Sequence, residues 1–174
     1  MENFLKDRLG YSKVVRSGQG GGGCISQGEV YLTDRGNIYV KENARPGSRE
    51  MFLGEFASLE KIRETGTVRV PRGLAVLERP SGPGYMLVME FLNLRRCSDQ
   101  AQLGRALASL HLHNITLNTR FGFDVKTCCG FLPQANGWTD SWVQFYTEKV
   151  RPLTSHLNTI QHSIAARGAD RATE

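Results

Sequence analysis

At 174 residues, 40% of them hydrophobic, the chain is long enough for one domain with a true core, or for one lobe and part of another. Its 22 basic and 17 acidic residues are interleaved and leave a net charge of +5, which suits an anionic ligand such as a nucleotide and is too diffuse for a nucleic-acid surface. No apolar run approaches the ~20 residues of a membrane span, and residues 1–7 lack the features of a signal peptide, so a soluble cytoplasmic protein without a membrane partner is expected.

The cysteines are Cys24, Cys97, Cys128 and Cys129, with no C-x-x-C pair. No zinc site is expected, and the thiols read as reduced.

Met1, Phe4, Leu5 and Leu9 follow helical spacing, which predicts a short helix over 2–9. Lys13-Val14-Val15-Arg16-Ser17 reads as a strand running into a glycine loop. That loop holds five glycines in six positions, and Gly18, Gly20 and Gly23 fit G-x-G-x-x-G. Glycine lets backbone N–H groups turn inward and approach a phosphate. A flexible linker has the same composition, and dinucleotide folds and kinases share the spacing. A dinucleotide fold requires a helix next. Here Val30-Tyr31-Leu32-Thr33, a turn at Asp34-Arg35-Gly36-Asn37, and Ile38-Tyr39-Val40-Lys41 predict a hairpin. Glycine loop, strand, turn and a strand ending in Lys is the order of a kinase-type nucleotide lobe.

Arg45-Pro46-Gly47-Ser48 breaks the chain, with Ser48 as the expected N-cap of a helix over 49–63. Phe52, Phe56, Leu59 and Ile62 share one helical face. Glu55 falls inside that apolar arc, at about −60° from Phe52 when each residue turns ~100°. It either tips out to solvent or finds a partner. Lys41, 14 residues earlier, is placed to be that partner, as a strand Lys is held by a helix Glu in kinases; the ion pair is the favoured reading.

Strand segments follow over 67–71 and 74–77, then a turn over 81–84 and a continuous apolar strand over 85–92. Its end, Glu90-Phe91-Leu92, is either a plain strand terminus or a hinge whose backbone meets adenine; only its place in the series favours the hinge. Leu103, Ala106, Leu107 and Leu110 predict a helix over 100–112. His111 and His113, two apart on a helix, face different sides and are read as surface or capping residues, not a metal pair.

With these pieces placed, the sequence resembles the fructosamine/ketosamine-3-kinase family. The carrying residues are Gly-Gly-Gly-Cys-Ile-Ser at 21–26, Met51-Phe52-x-Gly54-Glu55-x-Ala57-Ser58-Leu59, Val88-Met89-Glu90 and Leu110-His111-Leu112. Further along are Phe121-Gly122-Phe123, the run from Thr127 to Trp138, and Trp142 with Phe145-Tyr146. The resemblance runs to about residue 150, and Phe121-Gly122-Phe123-Asp124-Val125 and Ser26-Gln27-Gly28 look more like the ketosamine-3-kinase branch.

The resemblance implies an α+β, protein-kinase-like fold of the aminoglycoside/choline kinase type. Its N-lobe, an antiparallel sheet with one main helix, would span 1–92. A hinge and the start of a helical C-lobe would span 93–150, with a divergent tail at 151–174. It implies ATP and Mg2+ as cofactors, and phosphorylation of ketosamines (ribulosamine, psicosamine or fructosamine, free or on glycated proteins) at the sugar 3-hydroxyl. Gly18, Gly20, Gly21, Gly22 and Gly23 would cradle phosphates. Lys41 would bind them, Glu55 would hold Lys41, and Glu90, Phe91 and Leu92 would seat adenine. Pro133, Gln134, Asn136 and Trp138 would shape the sugar side.

One departure stands out. The class needs a His-Gly-Asp…Asn catalytic loop and a later Mg2+-binding Asp. No His-Gly-Asp occurs in the 174 residues, so no catalytic residue or Mg2+ ligand is assigned, and a truncated, catalytically silent form is expected. Cys24 is either a small residue tolerated in a tight loop or a redox switch, beside backbone N–H groups that lower a thiol's pKa. The second reading predicts a redox-linked homodimer through Cys24.

Overall fold

The computed structural model describes residues 1–22, 26–95, 99–117 and 119–151, and the chain divides into two units, Met1–Asn118 and Thr119–Glu174. In the first unit the elements are α1 (Glu2–Leu9), β1 (Val14–Gly22), β2 (Gln27–Thr33), β3 (Ile38–Asn43), α2 (Ser48–Glu64), β4 (Gly73–Glu78), β5 (Tyr85–Glu90) and α3 (Gln100–Leu117). The strands form one antiparallel sheet in the order β1-β2-β3-β5-β4.

Alternation along the strands gives this sheet two working faces. Ile38 and Val40 of β3 and Met86 and Val88 of β5 are buried with Leu5 of α1. Tyr39 and Lys41, with Leu87 and Met89, lie on the other face, where α2 crosses β4 and β5. Leu5 and Phe52 are fully buried, each contributing roughly 1.5–3 kcal/mol by removal from water. α1 stops at Gly10, whose φ of 67° lets its N–H return to the Lys6 carbonyl.

Four local expectations are corrected. The glycine run is mostly strand: Gly20, Gly21 and Gly22 lie opposite Glu29, Gly28 and Gln27. The pairing shifts between Arg16 and Gly20, and Gly18, with φ 75°, sits within that irregularity. Ser48 does not cap α2. Gly47, at φ 81°, holds the cap position, and the buried Ser48 Oγ accepts the Tyr85 N–H instead. Residues 67–71 form no strand. Thr67 is held in a hydroxyl-bonded turn with Thr65, and Pro71 lacks an N–H for a ladder. Helix α3 runs five residues past 112, to Leu117.

In the second unit β6 (Cys128–Cys129) pairs with β7 (Leu132–Pro133), and residues 142–151 are helical. Among the described residues no helix is long and apolar enough to cross a membrane, and no group of His, Cys, Asp and Glu could hold a metal ion.

Candidate functional site

Lys41 lies in the middle strand β3, with Gly28 on one side and Leu87 on the other. Its Nζ donates to both carboxylate oxygens of Glu55, each at 2.8 Å. The helix that carries Glu55 is tied to the sheet at both ends. Near its start Ser48 accepts the Tyr85 N–H; further along, Glu60 accepts the Gly73 N–H at 3.2 Å. At Gly73 a Cβ would lie 2.5 Å from the Phe56 ring, so the glycine is what lets α2 approach β4. The register that brings Glu55 to Lys41 is thus set by packing on either side of the pair.

The pair opens onto a cleft of about 530 Å3, the size of a small-ligand site. Tyr39, Lys41, Glu55, Pro71 and Met89 line one part of it, and the segment from Glu90 to Leu94 lines the rest. The surface is mainly apolar, with one ion pair at its edge.

Glu90, Phe91 and Leu92 differ in what they have left to offer a ligand. The Glu90 carboxylate is bound by Arg69 and by the Arg72 N–H. Its own N–H goes to the Arg72 carbonyl, and that of Phe91 goes to the Asn37 carbonyl. Leu92 accepts the Leu94 N–H, while its own N–H makes no hydrogen bond among the described residues. A hinge reading based on all three backbones therefore narrows to the Leu92 N–H as the open donor.

Gly20, Gly21 and Gly28 belong to the paired β1–β2 strands, with Gly22 closing the described part of β1. Gly23 and Cys24 lie outside the described residues, and so does any Cys24-linked contact. Glu29, behind this ribbon, has its carboxyl held below the ordinary range, chiefly by the Arg16 hydrogen bond. Burial opposes that shift and the Gly18 backbone adds to it.

The residues expected on the sugar side fall in the second unit. Asn136 is buried, and its Nδ2 donates to the Val125 carbonyl at 2.8 Å. Trp138 Nε1 donates to Asp124 at 2.7 Å. Gln134 donates its backbone N–H to Thr127, and Pro133 stands opposite Cys128 in the two-stranded ribbon. The polar groups of Asn136 and Trp138 thus lock the unit's own loops. Tyr39, Pro71, Met89, Asn93 and Leu94 were missed as cleft residues, although strand alternation already places Tyr39 on the face of Lys41.

Residues 1–169 match the fructosamine kinase family. The chain belongs to the fructosamine kinase family. Its relatives include ketosamine-3-kinase of Mus musculus, 46% identical over 176 aligned positions that cover 87% of this chain and 57% of the relative. Protein-ribulosamine 3-kinase, chloroplastic, of Arabidopsis thaliana is 40% identical over 79% of the chain and 42% of the relative. The chain thus spans about half the length of these fructosamine kinase relatives.

Solved structures show the fold. A provisionally named fructosamine-3-kinase from Haemophilus somnus 129PT superposes with a TM-score of 0.65 at 23% identity, covering 85% of this chain and 50% of that one. An aminoglycoside phosphotransferase, APH(4)-Ia, in ternary complex with ADP and hygromycin B, superposes at 0.55 with 12% identity, over 91% of this chain and 52% of its own. The fructosamine kinase chain described here has a kinase-like fold of the aminoglycoside phosphotransferase type, with a five-stranded antiparallel sheet, α2 as its main helix and α3 after β5.

Proposed function

We propose that this chain provides the nucleotide-binding lobe of a ketosamine kinase, using ATP as phosphoryl donor. The observation that carries this reading is the bidentate Lys41–Glu55 pair at the edge of an apolar cleft. An ammonium held this way is a fixed point charge for phosphate oxygens, and an apolar slot edged by an open backbone donor suits a purine. Leu92 N–H would donate to the adenine edge, Lys41 would bind the phosphates, and the glycine ribbon would lie over them.

The reaction of the whole protein would move the ATP γ-phosphoryl to the 3-hydroxyl of a ribulosamine, psicosamine or fructosamine, free or on a glycated protein, as a deglycation repair step. Relatives named ketosamine-3-kinase and protein-ribulosamine 3-kinase support this substrate class. Mg2+, when bound, would neutralise charge developing between the phosphates. No residue of this chain is assigned to it.

The lack of a His-Gly-Asp sequence in the 174 residues favours a second reading of the chain by itself. It binds nucleotide without transferring phosphate and acts as a nucleotide-binding or dimerising regulatory fragment. Titration calorimetry with ATP, with and without Mg2+, tests the shared part. Saturable binding that Lys41→Ala weakens is expected, and binding indifferent to that substitution would overturn the site. ADP release with a ribulosamine, above a Lys41→Met control, separates the two readings. The second predicts none, since a general base alone contributes about 10²–10⁴-fold.

A further inference from the structure

We infer that Tyr39 is a nucleotide-contact residue whose phenolic hydroxyl donates a hydrogen bond to the α-phosphate. This rests on the nucleotide reading of the cleft. Two cross-strand rows carry the strand residues that line that cleft, Tyr39 and Met89 in one and Lys41 in the next. One joins Val30, Tyr39 and Met89, and the next joins Gly28, Lys41 and Leu87. They stand two residues apart along β3, about 6.8 Å. The first row ends beside the hinge segment, where the base would lie; the second carries the ammonium for phosphate.

The Tyr39 ring crosses from the first row to the second. Its Oη and Cζ lie where a Cβ on Gly28 would be, at 1.7 and 2.2 Å from that position. The hydroxyl therefore ends on Gly28, directly opposite Lys41 in the register. Of the described side chains lining the cleft, Tyr39 alone carries a hydroxyl, and that hydroxyl makes no hydrogen bond among the described residues. A phenol is a good donor to an oxyanion and gains most when the acceptor is charged. Of the groups between base and γ-phosphate, the α-phosphate combines negative charge with a position between the two rows.

The test compares ATP and adenosine binding to the 174-residue chain for wild type, Tyr39→Phe and Lys41→Ala by titration calorimetry. Phenylalanine keeps the ring over Gly28 and removes only the hydroxyl. The proposal expects about tenfold weaker ATP binding by Tyr39→Phe, as for one charge-assisted hydrogen bond, with adenosine affinity unchanged. An equal loss for adenosine moves the contact to the ribose and overturns the proposal, as does an unchanged ATP affinity. If Lys41→Ala weakens ATP while Tyr39→Phe does not, the phenol contact fails and the nucleotide cleft stands. If neither substitution changes ATP binding, both fall.

Discussion

The Lys41–Glu55 pair shows how much a single spacing discloses and what it leaves out. A carboxylate inside an apolar helical arc and an ammonium at the end of an apolar strand each need a partner, and 14 residues of chain let them meet. The pair was legible because both partners break the pattern around them. Tyr39 was not, because an aromatic in a strand breaks no pattern; only the absence of a side chain at Gly28, opposite Lys41, lets its ring lean towards the Lys41 row. Both side chains of the pair keep about 30% of their surface in water, Lys41 30% and Glu55 32%, so its net stabilisation is at most about 1 kcal/mol. Glu55→Gln should therefore leave the melting temperature nearly unchanged while weakening ATP binding by about tenfold. Calorimetry of unfolding and of binding on the same samples checks this; a large stability loss with intact binding would make the pair structural. In the segment after β5, Leu92→Pro removes a backbone donor that has no partner among the described residues. It should weaken adenosine as well as ATP, unlike Lys41→Ala, which should act on ATP alone.

Helix α2 and the β4–β5 hairpin carry the site, and their ends were the least legible parts of the fold. Val68 and Val70 favour a strand by composition, yet the Glu90 carboxylate captures the Arg72 N–H, and the sheet resumes only at Gly73. That capture depends on a side chain 18 residues away, which no local pattern encodes. Glu60 ties α2 to β4 in a comparable way. Its carboxyl is held below its ordinary value of 4.5, first by the Arg63 hydrogen bond, against burial, and then by the Gly73 N–H. A carboxyl depressed in the folded state contributes stability above its unfolded value and loses it as pH falls through the folded one. Glu60→Gln should thus be less stable than wild type at neutral pH, and the two urea midpoints should converge on acidification well below 4.5. A gap independent of pH would assign the effect to packing. In the hairpin, Gly84 has φ 101° and a Cβ there would lie 2.1 Å from the Asn43 carbonyl oxygen. At Gly82, with φ 73°, the nearest atom is an Arg79 nitrogen at 3.7 Å. Gly82→Ala should cost only the left-handed strain of about 1–2 kcal/mol. Gly84→Ala should cost more in the same urea titration, because backbone must move.

For the molecule as a whole, the elements from α1 to β5 were readable in order, apart from the extra strand expected over 67–71, because the strands are bounded by turn signals and the one long helix among them has a continuous apolar face. Beyond the hinge the signal changes character. Leu103, Ala106, Leu107 and Leu110 mark helix α3 by their spacing, yet Leu103 and Leu107 are 55% and 50% exposed. Leu112 and Ile115 are exposed to 64% and 70%. At ~100° per residue these four cover about half the helix circumference, more than an ordinary surface helix leaves to water. Amphipathic periodicity states that a face wants cover; it does not say what covers it. Apolar surface of this kind favours association. Light scattering should show an apparent mass that rises with concentration, and Leu107→Lys with Leu112→Lys should suppress the rise. Neither residue lines the Lys41–Glu55 cleft, so ATP affinity should be the same in both proteins. A wild type that stays monomeric across the concentration range would show that these leucines do not drive association. A double variant with the same rise would place the sticky surface elsewhere, with the exposed Trp142, Val143 and Tyr146 as the next side chains to change.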